Sequence, residues 1–309
     1  VPDDTDIFVC TDLDEVFEPG WADKLRSIWD DHTERVQYKY TWSHNKDGSD
    51  DVTFMYNKIH SNKWEWVGAV HEYLAWKDTT NANYPVELSK DLYNEIHLHH
   101  YPDSKKSRGS YLNLLELRVK EMPDDYIGRL YLAREYWFYR KYFDCINLFN
   151  QITTEWKSHY NELELAFSFY IIGECFKAMI YYTTDQIEQY NYISEAIYAY
   201  ENGIKIEPTF IDNYVGLGDL YNRISDYSNA RFILKQGIKN SYRHYSWLEK
   251  GSNWTSDLYN TLSIATMNNG DKISALAYSC LALKYAPNDE CFMNNFNVCI
   301  NNISKEDLL

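Results

Sequence analysis

Small residues recur at fixed offsets through the second half of the chain, and this recurrence constrains the fold more than any other feature. Tyr214, Leu217, Gly218, Tyr221, Ala230, Leu234 and Gly237 set a spacing that Tyr259, Leu262, Ser263, Ala275, Ala282 and Pro287 repeat. Leu132, Ala133, Tyr136, Cys145 and Phe149 follow it again, and Ala196, Tyr200, Gly203 and Pro208 keep its second half, with extra residues inserted around 183–192. From Ser107 onward the apolar period is about 3.6 residues, beginning with Leu112, Leu115 and Val119 on one helix face and a stop at Pro123-Asp124-Asp125. Gly218 and Ala230 predict the close approach of two antiparallel helices, while Tyr and Leu fill the groove between successive pairs. The spacing predicts four such pairs and a closing helix near 290–301.

These units match the tetratricopeptide pattern, whose period is about 34 residues. Helix pairs of that kind cannot bury their faces alone, so they stack into a superhelix with a concave surface suited to peptides or proteins. Tyrosine is abundant at 29 residues, with 10 Trp besides, and much of this falls at helical spacing where it predicts packing rather than ligand stacking.

The first hundred residues have a different rhythm. Runs rich in β-branched and aromatic residues at 36–42, 52–57 and 96–100 predict strands. Residues 21–29 predict a helix introduced by Pro19-Gly20, and a loop with Asn, Thr and Pro85 covers 78–90. The chain therefore reads as an α/β part over 1–106 followed by an all-α part over 107–309.

Within the α/β part, the apolar run Ile7-Phe8-Val9-Cys10 ends in Asp12, Asp14 and Glu15. Alternate side chains of an extended or tightly turning segment point the same way, so Asp12 and Asp14 are predicted to converge on one hard cation. A divalent ion there would carry a diphosphate.

Bulk properties exclude several classes. A net charge of −16 with no basic run opposes general electrostatic binding to nucleic acid or anionic lipid, so phosphate recognition must be local. No stretch approaches the roughly 18 to 20 apolar residues of a membrane span, and the N-terminus lacks the regions of a signal peptide. Six cysteines without metal-ligand spacing read as free, mostly buried thiols of a reducing compartment, which makes the expected location cytoplasmic.

Further motifs follow in a fixed order: Trp21, Lys58-Ile59-His60, Trp64-Glu65-Trp66, Val70-His71-Glu72, and the run from His99 and His100 through Pro102-Asp103 to Lys105, Lys106, Ser107 and Arg108. Together with Thr11-Asp12-Leu13-Asp14-Glu15 they resemble the family-2 glycosyltransferases of the GT-A fold whose catalytic domain is followed by tetratricopeptide repeats. The motif-level resemblance covers roughly 5–160, and beyond it only the architecture matches. It implies a partial, Rossmann-like GT-A sheet and metal-dependent, inverting transfer of a sugar from a nucleotide-diphosphate donor to a protein, peptide or glycan acceptor.

The resemblance also implies roles. Asp14 would bind Mn2+ or Mg2+, and Asp12 would touch the donor ribose or the metal's water. One imidazole of the late pair would be a further ligand; strand alternation puts His99 and His100 on opposite faces, so a single one can serve, with His99 taken first. Lys105 and Arg108 would hold diphosphate oxygens or, alternatively, flank a helix start. Glu72 would be the general base, with His71 orienting it. Trp64 and Trp66 would stack on a sugar, or equally pack beneath the loop.

Members of that family begin with a nucleotide-binding portion of roughly a hundred residues, whereas this sequence opens just before the Asp-x-Asp strand. It is expected to be a fragment, to have its first half elsewhere, or to carry the domain as a structural relic. The competing reading is a non-catalytic interaction scaffold. A hydrolase using His97, His99, His100 and Asp103 is the third, weakened by the lack of helical His-Glu-x-x-His pairing.

Overall fold

Strand β3 (Arg35–Thr41) buries Val36, Tyr38 and Tyr40 and leaves Arg35, Gln37 and Lys39 half-buried, which commits one face of a sheet to a core. The computed structural model describes residues 7–45, 48–68, 70, 72–77, 89–102, 111–304 and 307. The chain divides into two compact units, Val1–Gly128 with Tyr245–Trp247, and Arg129–His244 with Leu248–Leu309.

In the first unit, β3 belongs to a five-stranded sheet with β1 (Phe8–Val9), β2 (Glu15–Phe17), β4 (Thr53–His60) and β7 (Ser89–His100), in the order β1-β4-β3-β7-β2. The pair β3–β7 is parallel and the other three are antiparallel. The sheet is therefore mixed and mainly antiparallel, where the sequence led us to expect a Rossmann-like one. The reason lies in the connections: β4 returns directly beside β3, whereas β7 comes after an intervening hairpin and can lie parallel.

That hairpin, β5 (Trp64–Val67) with β6 (Tyr73–Trp76), was not expected from the sequence, because each strand has only four residues. Helix α1 (Trp21–Ile28) starts at Gly20, whose φ of 87° is a left-handed conformation that suits glycine. It buries Leu25 in a core with Val36, Tyr38, Ile59, Ile96 and Leu98. In α2 (Tyr111–Glu121), Arg118 is buried with its Nε donating to Asp125 Oδ2 at 2.5 Å and another nitrogen donating to the Val70 carbonyl, which ties this helix to the segment before β6.

The rest is helical hairpins: α3 (Tyr126–Phe138) with α4 (Tyr142–Thr153), α5 (Glu162–Met179) with α6 (Gln186–Ile206), α7 (Ile211–Arg223) with α8 (Tyr227–Asn240), α9 (Ser256–Asn268) with α10 (Lys272–Tyr285), then α11 (Glu290–Asn301). Four pairs and a closing helix are what the small-residue spacing predicts, and the fold is TPR-like. The second pair has the longer helices, of 18 and 21 residues against 12 to 14 elsewhere in the stack, and most of the residues inserted around 183–192 fall in α6. Asn161, Asp185, Asp226, Asp271 and Asp289 cap the helices that follow them. A cluster of Ile211, Val215, Ala230, Leu234, Leu258 and Leu262 joins the third and fourth pairs. Three cysteines, Cys145, Cys175 and Cys299, are buried, but Cys280 and Cys291 are exposed, contrary to the expectation for most of them. Among the described residues no helix is long and apolar enough to cross a membrane.

Candidate functional site

Between β1 and β2 the chain makes a tight turn in which Glu15 N donates to the Asp12 carbonyl at 3.2 Å and Asp12 N donates to Glu15 Oε2 at 2.8 Å. This turn gives the two aspartates different partners, because side-chain alternation holds along a strand and not through a turn. Asp12, with its side chain 72 % exposed, accepts from Lys58 Nζ at 2.9 Å. Asp14 Oδ2 lies 3.5 Å from His100 Nε2, and the Asp14 carbonyl accepts from Tyr101 N at 2.7 Å.

Beneath the turn, Lys58 Nζ also donates to the buried Glu15 at 2.6 Å, and the Tyr40 hydroxyl donates to the same Glu15 oxygen at 2.9 Å. Burial, reinforced by the Glu15 charge, pushes the Tyr40 hydroxyl well above the usual range, so it stays a donor. Lys58 thus supplies the positive charge that a buried carboxylate requires.

Strand β7 separates the late histidines. His100 pairs with Glu15 and His99 with Val16 across β2–β7, and the buried Ile96 and Leu98 lie on the same face of β7 as His100. His100 therefore meets Asp14, while His99 points to the opposite face beside His97. The pairing of Asp14 with His99 is replaced by Asp14 with His100, for the reason of alternation itself.

On that opposite face His97 Nδ1 and His99 Nε2 lie 3.0 Å and 3.3 Å from Glu18 Oε1, and His44 Nε2 lies 3.0 Å from His99 Nδ1. Asp50 is bound by Lys39 Nζ at 2.5 Å. The hydrogen bond from His99, with lesser help from His97, holds the Glu18 carboxyl below its ordinary value, and burial with the nearby Lys39 lowers His97. Among the described residues, two groups of three potential metal ligands occur, Glu18-His97-His99 and His44-Asp50-His99, and both lie here. The period-2 spacing of His97 and His99 was the available signal; Glu18, His44 and Asp50 are distant in sequence and carried none.

Trp64 is 5 % exposed, with Arg35 over its ring at 4.6 Å and Trp76 edge-on at 5.2 Å, so packing occupies its surface. Trp66 is 37 % exposed and edge-on to His60 at 6.1 Å. Glu72 is exposed immediately before β6. His71, Lys105 and Arg108 lie outside the described residues.

The helical unit carries a groove of about 340 Å³ lined by Trp137, Glu174, Lys177, Tyr181, Tyr182 and Arg223. At its floor Lys177 Nζ bridges Glu174 at 2.6 Å and Asp219 at 3.0 Å, and the Tyr200 hydroxyl donates to Glu174 at 2.7 Å. Burial works against charge on Glu174, but Lys177 and Tyr200 outweigh it and keep the carboxyl below its usual value. Aromatic walls over a balanced ionic floor suit an extended chain with both apolar and polar side chains.

No protein-family model matches the chain, and no curated protein matches it by sequence. It is similar in structure to a thermophilic TPR protein of Thermus thermophilus, with TM-score 0.48 and 18 % identity over 62 % of this chain and 90 % of that one. Pseudomonas aeruginosa pilF gives TM-score 0.44 and 9 % identity over 59 % and 70 %. The MamA protein gives 0.42 and 18 % over 60 % and 95 %.

Proposed function

We propose that this chain is a tetratricopeptide-like binding scaffold whose α/β unit carries part of a metal-dependent sugar-transfer site. The scaffold half has the wider support, and the aromatic groove with Lys177 and Arg223 carries it. Its occupant is a peptide or an extended protein segment, because the groove offers apolar faces and charges together.

The transfer half rests on one juxtaposition, Asp14 beside His100 at the tip of the sheet. A carboxylate and an imidazole fit Mn2+ better than Mg2+, which prefers oxygen ligands throughout. Such an ion would neutralise the charge that develops on a departing diphosphate. Asp12, braced by Lys58, would face the donor, and Lys105 and Arg108 would add positive charge to the diphosphate. Glu72 would take the proton of the acceptor hydroxyl, with His71 orienting it. Trp66 has ring surface for a sugar; Trp64 has little. On this reading a transferase part over 1–106 precedes the repeats of 107–309.

Mn2+ titration of the full chain with uridine diphosphate, followed by histidine NMR signals, separates the two halves. Broadening centred on His100 that Asp14→Asn abolishes, strengthened by the nucleotide, would support the transfer reading. No effect at His100, with selection of peptides that depends on Lys177 and Tyr181, would leave a scaffold alone.

A further inference from the structure

We propose that Glu18, His97 and His99 form a metal site of their own, separate from Asp14 and His100, for a borderline first-row transition cation of the zinc class. The inference does not depend on sugar transfer.

Three remote groups are brought to one point. His97 and His99 share a face of β7, and Glu18 follows β2, where its backbone N–H donates to the His97 carbonyl at 3.0 Å. Glu18 Oε1 then stands 3.0 Å from His97 Nδ1 and 3.3 Å from His99 Nε2. In a tetrahedral zinc shell, with bonds of about 2.0 to 2.1 Å, neighbouring donor atoms lie about 3.3 Å apart. Both separations from Glu18 Oε1 are near that value, and the three ligand atoms all lie within 4.8 Å of one another.

The far side of each ring is held as a ligating imidazole requires. His97 Nε2 lies 2.7 Å from Thr41 Oγ1, and His99 Nδ1 lies 3.0 Å from His44 Nε2. Such partners on the remote nitrogens fix ring orientation in metal sites.

Two imidazoles and one carboxylate select Zn2+, Co2+, Ni2+ or Cu2+ over Mg2+ and Ca2+. The Glu18 side chain is 55 % exposed, which leaves a fourth position open to water or an outside ligand. The alternative triplet His44-Asp50-His99 is the poorer site, since Lys39 already neutralises Asp50.

The test is Co2+ and Zn2+ titration of the metal-stripped full chain, read by visible absorption and calorimetry, with circular dichroism confirming that each variant is folded. Zn2+ should bind at this site, unaffected by excess Mg2+. Glu18→Gln and His97→Gln should each weaken it at least about tenfold, Asp14→Asn should leave it unchanged, and Thr41→Val, which removes only the hydrogen bond to the remote nitrogen of His97, should weaken it by about 10- to 100-fold. Wild-type affinity in Glu18→Gln and His97→Gln, loss on Asp14→Asn, or loss on Asp50→Asn with retention in Glu18→Gln would overturn the proposal.

Discussion

Leu234 packs so closely on Gly218 that a Cβ added to the glycine would fall 2.6 Å from Leu234 Cγ. This contact joins α7 to α8 within one hairpin, and the stack depends on it. The Leu234 side chain is fully buried and has no room to retreat. Gly218→Ala should therefore destabilise the chain by about 1–3 kcal/mol despite the better helix propensity of alanine. Chemical denaturation would measure this. Adding Leu234→Ala should give a double variant less destabilised than the sum of the two, since the added methyl then enters vacated space.

Lys58 is the counter-ion of the Asp12–Glu15 turn. Lys58→Met should cost about 3–5 kcal/mol, because it leaves Glu15 charged and buried without a partner. Combining it with Glu15→Gln should recover much of that loss, a result thermal melts of the three variants would read. Equal stability of Lys58→Met and the parent would mean that the turn does not need the ammonium group.

Asp212 gives the helical unit a pH dependence. It is fully buried, and burial pushes its carboxyl up to about 8, while hydrogen bonds from Asn253 and the Lys250 backbone act the other way. The unfolded chain releases this proton near the ordinary value of 3.8, so between there and about 8 the folded form holds the extra proton. The contribution to stability is fully present below that window and declines as pH rises through it, by on the order of 1 kcal/mol per pH unit. Melting at pH 5 and pH 7.5 should show the parent losing more stability than Asp212→Asn. Identical pH slopes for the two would refute the assignment.

The hairpins were legible because their determinants are local and repeated: Leu217, Gly218 and Ala230 announce a close helix contact wherever they recur. The extra residues at 183–192 were legible too, but not that most of them would extend α6 rather than form a loop. In the α/β unit, the strand at 96–100 and the helix after Pro19-Gly20 could be read from composition. The hairpin of β5 and β6 could not, since strands of four residues carry too little pattern.

The sequence by itself determined the repeating helix pairs and the alternation that parts His99 from His100, since each follows from periods of a few residues. Tertiary structure alone decided that Asp14 meets His100, that Lys58 takes Asp12 and Glu15, and that Glu18 joins His97 and His99. Those partners come from strand order and register, which bring together residues roughly 40 to 90 positions apart, and nothing in the local pattern of a chain records which distant strand will lie beside it.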